Sequence, residues 1–165
     1  MASFIGKHAC KRDEQGRVPF PAAFRSLVSP SANPQQDKDG KVVQLRLVVQ
    51  KELDAPYLTI MTEDESEKKI AYYHERLDPY NSEQQEVLDT LFDSMTSADI
   101  DSAGRIMLPK WLVEDVGMGK DVLFLGMGRE IHLWDRPRYE EIKSQRSPEK
   151  IAEMKKFLQR KTGGN

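Results

Sequence analysis

The sequence predicts an α+β protein in which one small supersecondary unit is used twice. An internal repeat relates the two halves of the chain, and short β-type apolar runs alternate with amphipathic helical stretches. The chain has 165 residues, of which 38% are hydrophobic, which is enough for a folded core. We therefore expect a β core with pseudo-twofold symmetry and flanking helices.

The repeat is centred on a short turn motif. Residues 13–24, DEQGRVPFPAAF, align with residues 101–112, DSAGRIMLPKWL, and Asp, Gly, Arg and Pro recur at the same relative positions. Further along the chain, residues 57–61 resemble residues 130–134. Each half of the chain therefore carries one copy of the same unit.

The unit boundaries follow from this alignment. The first unit is expected at residues 1–93, with two helices and an insertion at residues 29–41 whose turn-forming composition predicts an exposed loop. The second unit is expected at residues 94–142. Residues 143–165 are predicted to form a basic C-terminal helix and a tail, TGGN, that frays.

The hydrophobic periodicity and the positions of turn-forming residues predict the elements within these units. Turns at DEQG and DSAG each predict a hairpin, the first between residues 5–12 and 17–20 and the second centred on residues 101–105. The remaining strands are predicted at residues 42–50, 57–61, 122–125 and 130–134. Short helices are predicted to start at Pro21 and Pro109, and longer helices at the capping residues Thr62, Ser82, Asp135 and Ser147.

Charge is distributed unevenly along the chain. The formal net charge is −2, and such mild acidity argues against nucleic-acid binding when it is taken as an average. Residues 1–28, however, carry five basic against two acidic residues, residues 51–100 carry thirteen acidic against four basic, and the chain from Arg136 is basic again. Because a local patch decides whether phosphate is attracted, the distribution removes this objection. We interpret the acidic middle and the basic tail as solvated helix faces.

Several classes of function are disfavoured by composition and spacing. A single cysteine, Cys10, excludes an internal disulfide, and no apolar run reaches the roughly 18 residues of a membrane span, so a cytoplasmic protein is expected. His8, His74 and His132 lie far apart and lack metal-ligand spacing. We predict no catalytic residue, no metal site and no cofactor.

The arginines of the two turns are the residues that can carry a function. The Asp and Gly of each turn have structural roles, since Asp accepts backbone hydrogen bonds and Gly allows a positive φ. Arg17 and Arg105 have no such role, and a guanidinium on a rigid hairpin suits a guanine edge or a phosphate in the major groove. The alternative is that each Arg only pairs with the Asp four residues earlier.

The doubled pattern D-x-x-G-R-apolar-x-apolar-P, followed by VLFLG and EIHLWD in the second half, resembles the MraZ family over most of residues 3–142. The resemblance implies a pseudo-twofold, double swapped-hairpin (AbrB-like) β-barrel core with flanking helices. It also implies a nucleoid-associated transcriptional regulator that binds direct repeats in double-stranded DNA before the division and cell-wall gene cluster. Such a protein would act as a homo-oligomeric ring, an octamer or a dodecamer.

The resemblance places Arg17 and Arg105 on a DNA-binding surface. Neighbouring residues expected on that surface are Lys7, Lys11, Arg12, Asp13, Gln15, Gly16, Asp101, Ser102 and Gly104. Arg12 stands where the family usually has an apolar residue, and Gln15 replaces a common lysine. A second hypothesis, from another class, is a swapped-hairpin protein-interaction adaptor of antitoxin type whose acidic helices hold a basic partner.

Overall fold

The computed structural model describes residues 3–159, which form ten strands and six helices. The strands are β1 Lys7–Lys11, β2 Arg17–Pro19, β3 Gln35–Gln36, β4 Val42–Val43, β5 Arg46–Gln50, β6 Tyr57–Thr62, β7 Met95–Asp99, β8 Arg105–Met107, β9 Asp121–Gly126 and β10 Ile131–Asp135. The helices are α1 Ala22–Arg25, α2 Glu63–Arg76, α3 Ser82–Asp93, α4 Lys110–Asp115, α5 Arg136–Ser144 and α6 Pro148–Gln159. The predicted α+β class is confirmed.

The two sequence units share one antiparallel sheet. Its strand order is β1-β9-β10-β6-β5-β7, so β1 of the first unit pairs with β9 of the second, and β7 of the second pairs with β5 of the first. A separate two-stranded ribbon joins β2 to β8. Within residues 3–159 these pairings leave β1 and β7 at opposite edges, so the sheet is open and the barrel that the resemblance implies is not closed.

The predicted hairpin at the first turn is wrong in its strand pairing, whereas an antiparallel bridge between Ile100 and Ile106 closes the second turn as predicted. The backbone N–H of Asp13 donates to the Arg17 carbonyl over 2.9 Å, so the first turn does reverse the chain. The strands on either side of this turn then separate, because β1 pairs with β9 and β2 pairs with β8. Turn chemistry acts only over a few residues, whereas the partner of a strand is decided by long-range packing.

The inner face of the sheet holds the main core. Side chains alternate between the two faces of a strand, and those on the inner face pack against α1, α4 and the ribbon. Fully buried members of this core are Val18, Leu47, Leu58, Ile60, Ile106, Leu112, Phe124, Ile131 and Leu133. Because Val18 and Ile106 face each other across the ribbon, the inner side of the ribbon is anchored in the core.

The outer face of the sheet is covered by α2 and α5. The Gln50 side-chain amide donates to the Tyr73 hydroxyl on α2 over 3.1 Å, and Tyr73 packs with Leu88 and Leu91 of α3 in a cluster separate from the main core. The acidic helices α2 and α3 therefore lie on the opposite side of the sheet from the ribbon.

Three of the four capping residues predicted for the longer helices are confirmed: Thr62, Asp135 and Ser147, whose hydroxyl accepts from the Lys150 N–H over 3.2 Å. The Thr62 hydroxyl accepts a hydrogen bond from the Glu65 N–H over 3.3 Å, and the Asp135 carboxylate caps α5. Helix α3 differs by one residue, because the Asn81 side chain caps it instead of Ser82. Both residue types make good caps, so the sequence pattern alone does not discriminate between them.

The insertion at residues 29–41 has no buried residue, as predicted, but it contributes β3 to a two-stranded ribbon with β4. The alternating apolar pattern that marks longer strands is absent from Gln35–Gln36, so sequence periodicity gave no sign of this ribbon. The terminal TGGN, for which fraying is predicted, lies outside the described residues.

Substitution of Ile106 tests whether the ribbon supports the whole fold. Ile106→Ala should lower the free energy of unfolding by about 2–5 kcal/mol, because it leaves a cavity between the two units. Met107→Ala, one position along and 37% exposed, is the control and should change stability by less than about 1 kcal/mol. Urea denaturation followed by circular dichroism measures both; equal effects would contradict the assignment of the ribbon to the core.

Candidate nucleic-acid interface

The first turn is built by Asp13. Its Oδ1 accepts hydrogen bonds from the backbone N–H groups of Gln15, over 3.0 Å, and Arg17, over 2.8 Å. Gly16 has φ of +85°, which a side chain would disfavour. The hydrogen bond from the Arg17 backbone is the main cause that holds the pKa of Asp13 below its usual value. The charged carboxylate is therefore the form that stabilises the turn.

The second turn has the same geometry. Asp101 Oδ1 accepts from the backbone N–H groups of Ala103 and Arg105, both over 2.9 Å, and Gly104 has φ of +79°. The structural roles predicted for the Asp and Gly of both turns are thus as expected. Neither turn requires its guanidinium for closure.

The guanidinium groups pair only loosely with these carboxylates. Arg17 Nε lies 3.4 Å from Asp13 Oδ2, and Arg105 Nε lies 3.5 Å from Asp101 Oδ2, both longer than a good N–H···O hydrogen bond. The two arginine side chains are 32% and 36% exposed, and such surface pairs contribute about 0–1 kcal/mol. The Nε atom of each arginine is buried without a hydrogen-bond partner, and no Nη atom of either side chain forms a hydrogen bond within residues 3–159. The pairing with aspartate therefore involves only the Nε atom of each guanidinium, at long distance, and leaves the Nη atoms for a ligand.

The ribbon brings the two arginines together. Its outward positions are Arg17, Pro19, Arg105 and Met107, because Val18 and Ile106 point into the core. Arg17 is opposite Met107 and Arg105 is opposite Pro19, so the arginines are diagonal neighbours whose Cα atoms should lie about 7–8 Å apart. A two-stranded ribbon has the width of the DNA major groove. The outward face of the ribbon can therefore present both guanidinium groups to one duplex.

Two predicted lysines lie elsewhere. Lys7 and Lys11 face Leu125 and Asp121 across the β1–β9 pairing and project from the outer face of the sheet. Nearby Lys143 on α5 is the main cause that lowers the pKa of Lys7. Lys7 is therefore next to α5 and is not part of the ribbon surface.

Arg12, for which a phosphate contact is expected, forms hydrogen bonds within the protein. Its Nε donates to the Gly119 carbonyl and its Nη2 to the Met118 carbonyl, both over 3.3 Å. The side chain thereby ties the first turn to the loop before β9. Gln15 and Ser102, in contrast, are exposed within their turns, where a DNA backbone could reach them.

Sequence reasoning missed Arg25. The Arg25 guanidinium from α1 lies directly against Gly104, in the space that a Cβ would occupy. Arg25 is in the sequence unit of the first turn but lies at the second, because β2 runs antiparallel to β8 and delivers α1 there. The basic cluster of residues 1–28 signalled a role for this arginine, but its location required the strand pairing.

Catalytic alternatives find no support in the geometry. Burial raises the pKa of the Cys10 thiol to about 11, which suppresses the thiolate at neutral pH. His8 packs edge-on against Phe24 with ring centroids 4.9 Å apart. Across the described residues, no group of three His, Cys, Asp or Glu side chains is placed to hold a metal ion. No helix between residues 3 and 159 has both the length and the hydropathy to cross a bilayer.

Comparison with known proteins identifies the family. Residues 91–161 match the family described as "MraZ protein, putative antitoxin-like". The transcriptional regulator MraZ of Mycoplasmoides gallisepticum is 31% identical over 140 residues, which cover 84% of this chain and 85% of the relative. The chain belongs to the MraZ family. The transcriptional regulator MraZ of Anaeromyxobacter dehalogenans is 30% identical over 145 residues, 88% of this chain and 92% of its own.

MraZ family membership confirms the resemblance read from the doubled turn motif. A further relative, the transcriptional regulator MraZ of Bacteroides fragilis, is 26% identical over 142 residues, 86% of this chain and 83% of its own. These relatives are named as regulators and not as enzymes, in agreement with the expectation of a non-enzymatic protein.

The lowered pKa of Asp13 predicts a specific loss of stability in acid. A carboxyl whose pKa is lower in the folded state stabilises the protein above its unfolded pKa of about 4, and this contribution disappears as pH falls through the folded value. Asp13→Asn keeps an acceptor oxygen but cannot titrate. The difference in unfolding free energy between wild type and Asp13→Asn should therefore shrink below about pH 4. A pH-independent difference for Asp13→Asn would contradict the prediction.

Alanine at Gly16 tests the close approach between the two units. An added Cβ would meet the Leu108 carbonyl oxygen at 3.3 Å, and that backbone is held because Leu108 N–H donates to the Gly16 carbonyl over 3.1 Å. Gly40→Ala is the control, because φ there is +76° but no atom lies within 4 Å. Positive φ alone costs about 1–2 kcal/mol, so Gly16→Ala should lose more stability than Gly40→Ala in urea denaturation. Equal losses would exclude a steric contribution.

Proposed function

We propose that this MraZ-family protein is a sequence-specific DNA-binding transcriptional regulator that reads double-stranded DNA with the β2–β8 ribbon. The observation that carries the proposal is the pair of guanidinium groups whose Nη donors are unengaged on a ribbon anchored in the core. Preorganised donors of this kind suit the O6 and N7 edge of guanine. The names of the relatives support the same function.

Within this proposal Arg17 and Arg105 read bases. Residues of the two turns support them by backbone contact or by shaping the turn: Asp13, Gln15, Gly16, Asp101, Ser102 and Gly104. Lys11 projects from the outer face of the sheet, as Lys7 does, and is not part of the proposed ribbon contact. Lys7 and Arg12 are left out, because the first lies beside α5 and the second is bound to the loop before β9.

The finer architecture is also a proposal. The exchange of β1 and β7 between units supports an arrangement of the AbrB swapped-hairpin type, with the unit boundary between α3 and β7. The acidic helices do not oppose DNA binding, because the sheet lies between them and the ribbon, and the spacing of one packed layer, about 10 Å, is already comparable to the Debye length.

We further propose that several chains combine on direct repeats before the division and cell-wall gene cluster, as a ring of eight or twelve subunits in the nucleoid. One ribbon offers few base contacts, and linked sites raise affinity through effective concentration. Helix α6 has no buried residue and exposes Ile151 and Met154, which favours contact with another subunit. The competing function is an antitoxin-like adaptor, which the family description and the acidic helices favour.

Titration of labelled duplexes decides between these functions. The probes are a duplex with G-rich direct repeats and a scrambled duplex, measured across a salt series. Arg17→Ala and Arg105→Ala should each weaken binding to the repeat by about 1–3 kcal/mol, about 5- to 150-fold, and should relax discrimination against the scrambled duplex.

Arg76→Ala is the matched control, because it removes the same charge from the outer helix α2, where Arg76 lies over the Tyr72 ring at 4.4 Å. It should leave discrimination unchanged. Equal binding of wild type to both duplexes would contradict sequence-specific recognition, and the absence of binding to either would favour the adaptor.

A further inference from the structure

We propose that Arg25 is a phosphate-binding residue that makes the two ends of the DNA-reading ribbon unequal. This inference rests on the proposed DNA-binding function and extends it. The Arg25 guanidinium lies against Gly104, the residue immediately before Arg105. The second turn therefore carries two arginines, Arg105 from the ribbon and Arg25 from α1.

The surroundings leave Arg25 available for a ligand. Within residues 3–159 its guanidinium forms no hydrogen bond and no ion pair, and the side chain is only partly buried. The adjacent residue Phe24 is 1% exposed and packs edge-on against Phe4 and Phe20. The backbone that carries Arg25 is thus anchored in the core, while its charge remains at the surface.

The position of Arg25 beside the ribbon suggests the kind of contact. Residues on the outward face of a ribbon reach base edges, whereas residues on flanking elements reach the DNA backbone. Arg25 belongs to α1, which flanks the ribbon, and it therefore binds a phosphate next to the base step read by Arg105. Lysine can replace arginine at such a contact, because a phosphate requires charge and not a planar fork.

The corresponding place at the first turn has no arginine. The sequence alignment pairs Arg25 with Val113, which is 6% exposed, and the atoms nearest to Gly16 belong to Leu108 and Met107. The first turn also carries Glu14 where the second carries Ser102. The second turn therefore has a guanidinium beside its glycine that the first turn lacks, and the two ends of the ribbon differ.

The experiment compares wild type, Arg25→Ala, Arg25→Lys and the charge-matched control Arg76→Ala on the repeat and scrambled duplexes across a salt series. Arg25→Ala should weaken binding to both duplexes by a similar factor, about tenfold, and should reduce the slope of log K against log salt by about one. Arg25→Lys should restore most of the affinity. Because Arg25 has no protein partner, urea denaturation should show the same stability as wild type.

A neutral-phosphate scan locates the contact. Methylphosphonates, which are uncharged, replace the phosphates of the duplex one at a time. At one backbone position per site the replacement should weaken DNA binding by wild type but should not weaken binding by Arg25→Ala any further. If wild type binds DNA but Arg25→Ala has the affinity and salt slope of Arg76→Ala, the role of Arg25 is overturned and the proposed function stands. If wild type binds neither duplex, the proposed function itself fails.

Discussion

Two hydrogen bonds that cross between the sequence units hold the candidate interface together. The Gly16 carbonyl accepts from the Leu108 N–H over 3.1 Å, and the Gly104 carbonyl accepts from the Phe20 N–H over 2.9 Å. The glycine of each turn is thus hydrogen-bonded to the residue that follows the ribbon strand of the other unit. The ribbon, and with it the spacing of the two arginines, exists only when both units have packed on the common sheet. The interface is consequently as stable as the core beneath it.

Features that depend on a few neighbouring residues could be predicted from the sequence. The roles of Asp13 and Asp101 follow from hydrogen bonds to residues two and four positions ahead, and the Thr62 cap follows from one three ahead. Strand partners could not be predicted, because the alternation in β1 is satisfied equally by β2 or by β9. The positions of Lys7, Arg12 and Arg25 could not be predicted either, because they all depend on contacts distant in sequence.

The net charge does not describe the local potential at the ribbon, because the fold places acidic and basic residues on opposite sides of the sheet. Helices α2 and α3 carry most of the acidic residues of the middle of the chain, and they pack on the outer face of the sheet through Tyr73. The ribbon arginines lie beyond the inner face. Since screening in physiological salt acts over about 8 Å, each side of the sheet has its own local potential. A net charge of −2 is compatible with a positive reading surface.

Duplication creates a symmetry that the proposed binding to direct repeats would have to break. A ribbon with two equal ends matches a site with twofold symmetry, because operator symmetry mirrors protein symmetry. A direct repeat has a direction, so its reader needs ends that differ. The two turns have kept the Asp, Gly and Arg that shape them, while the flanking positions have diverged. Arg12, bound to the loop before β9, corresponds in the alignment to Ile100, which is buried. The turn chemistry that both units share thus preserves the ribbon, and under the proposed function the divergence around it would give the ribbon a direction along the duplex.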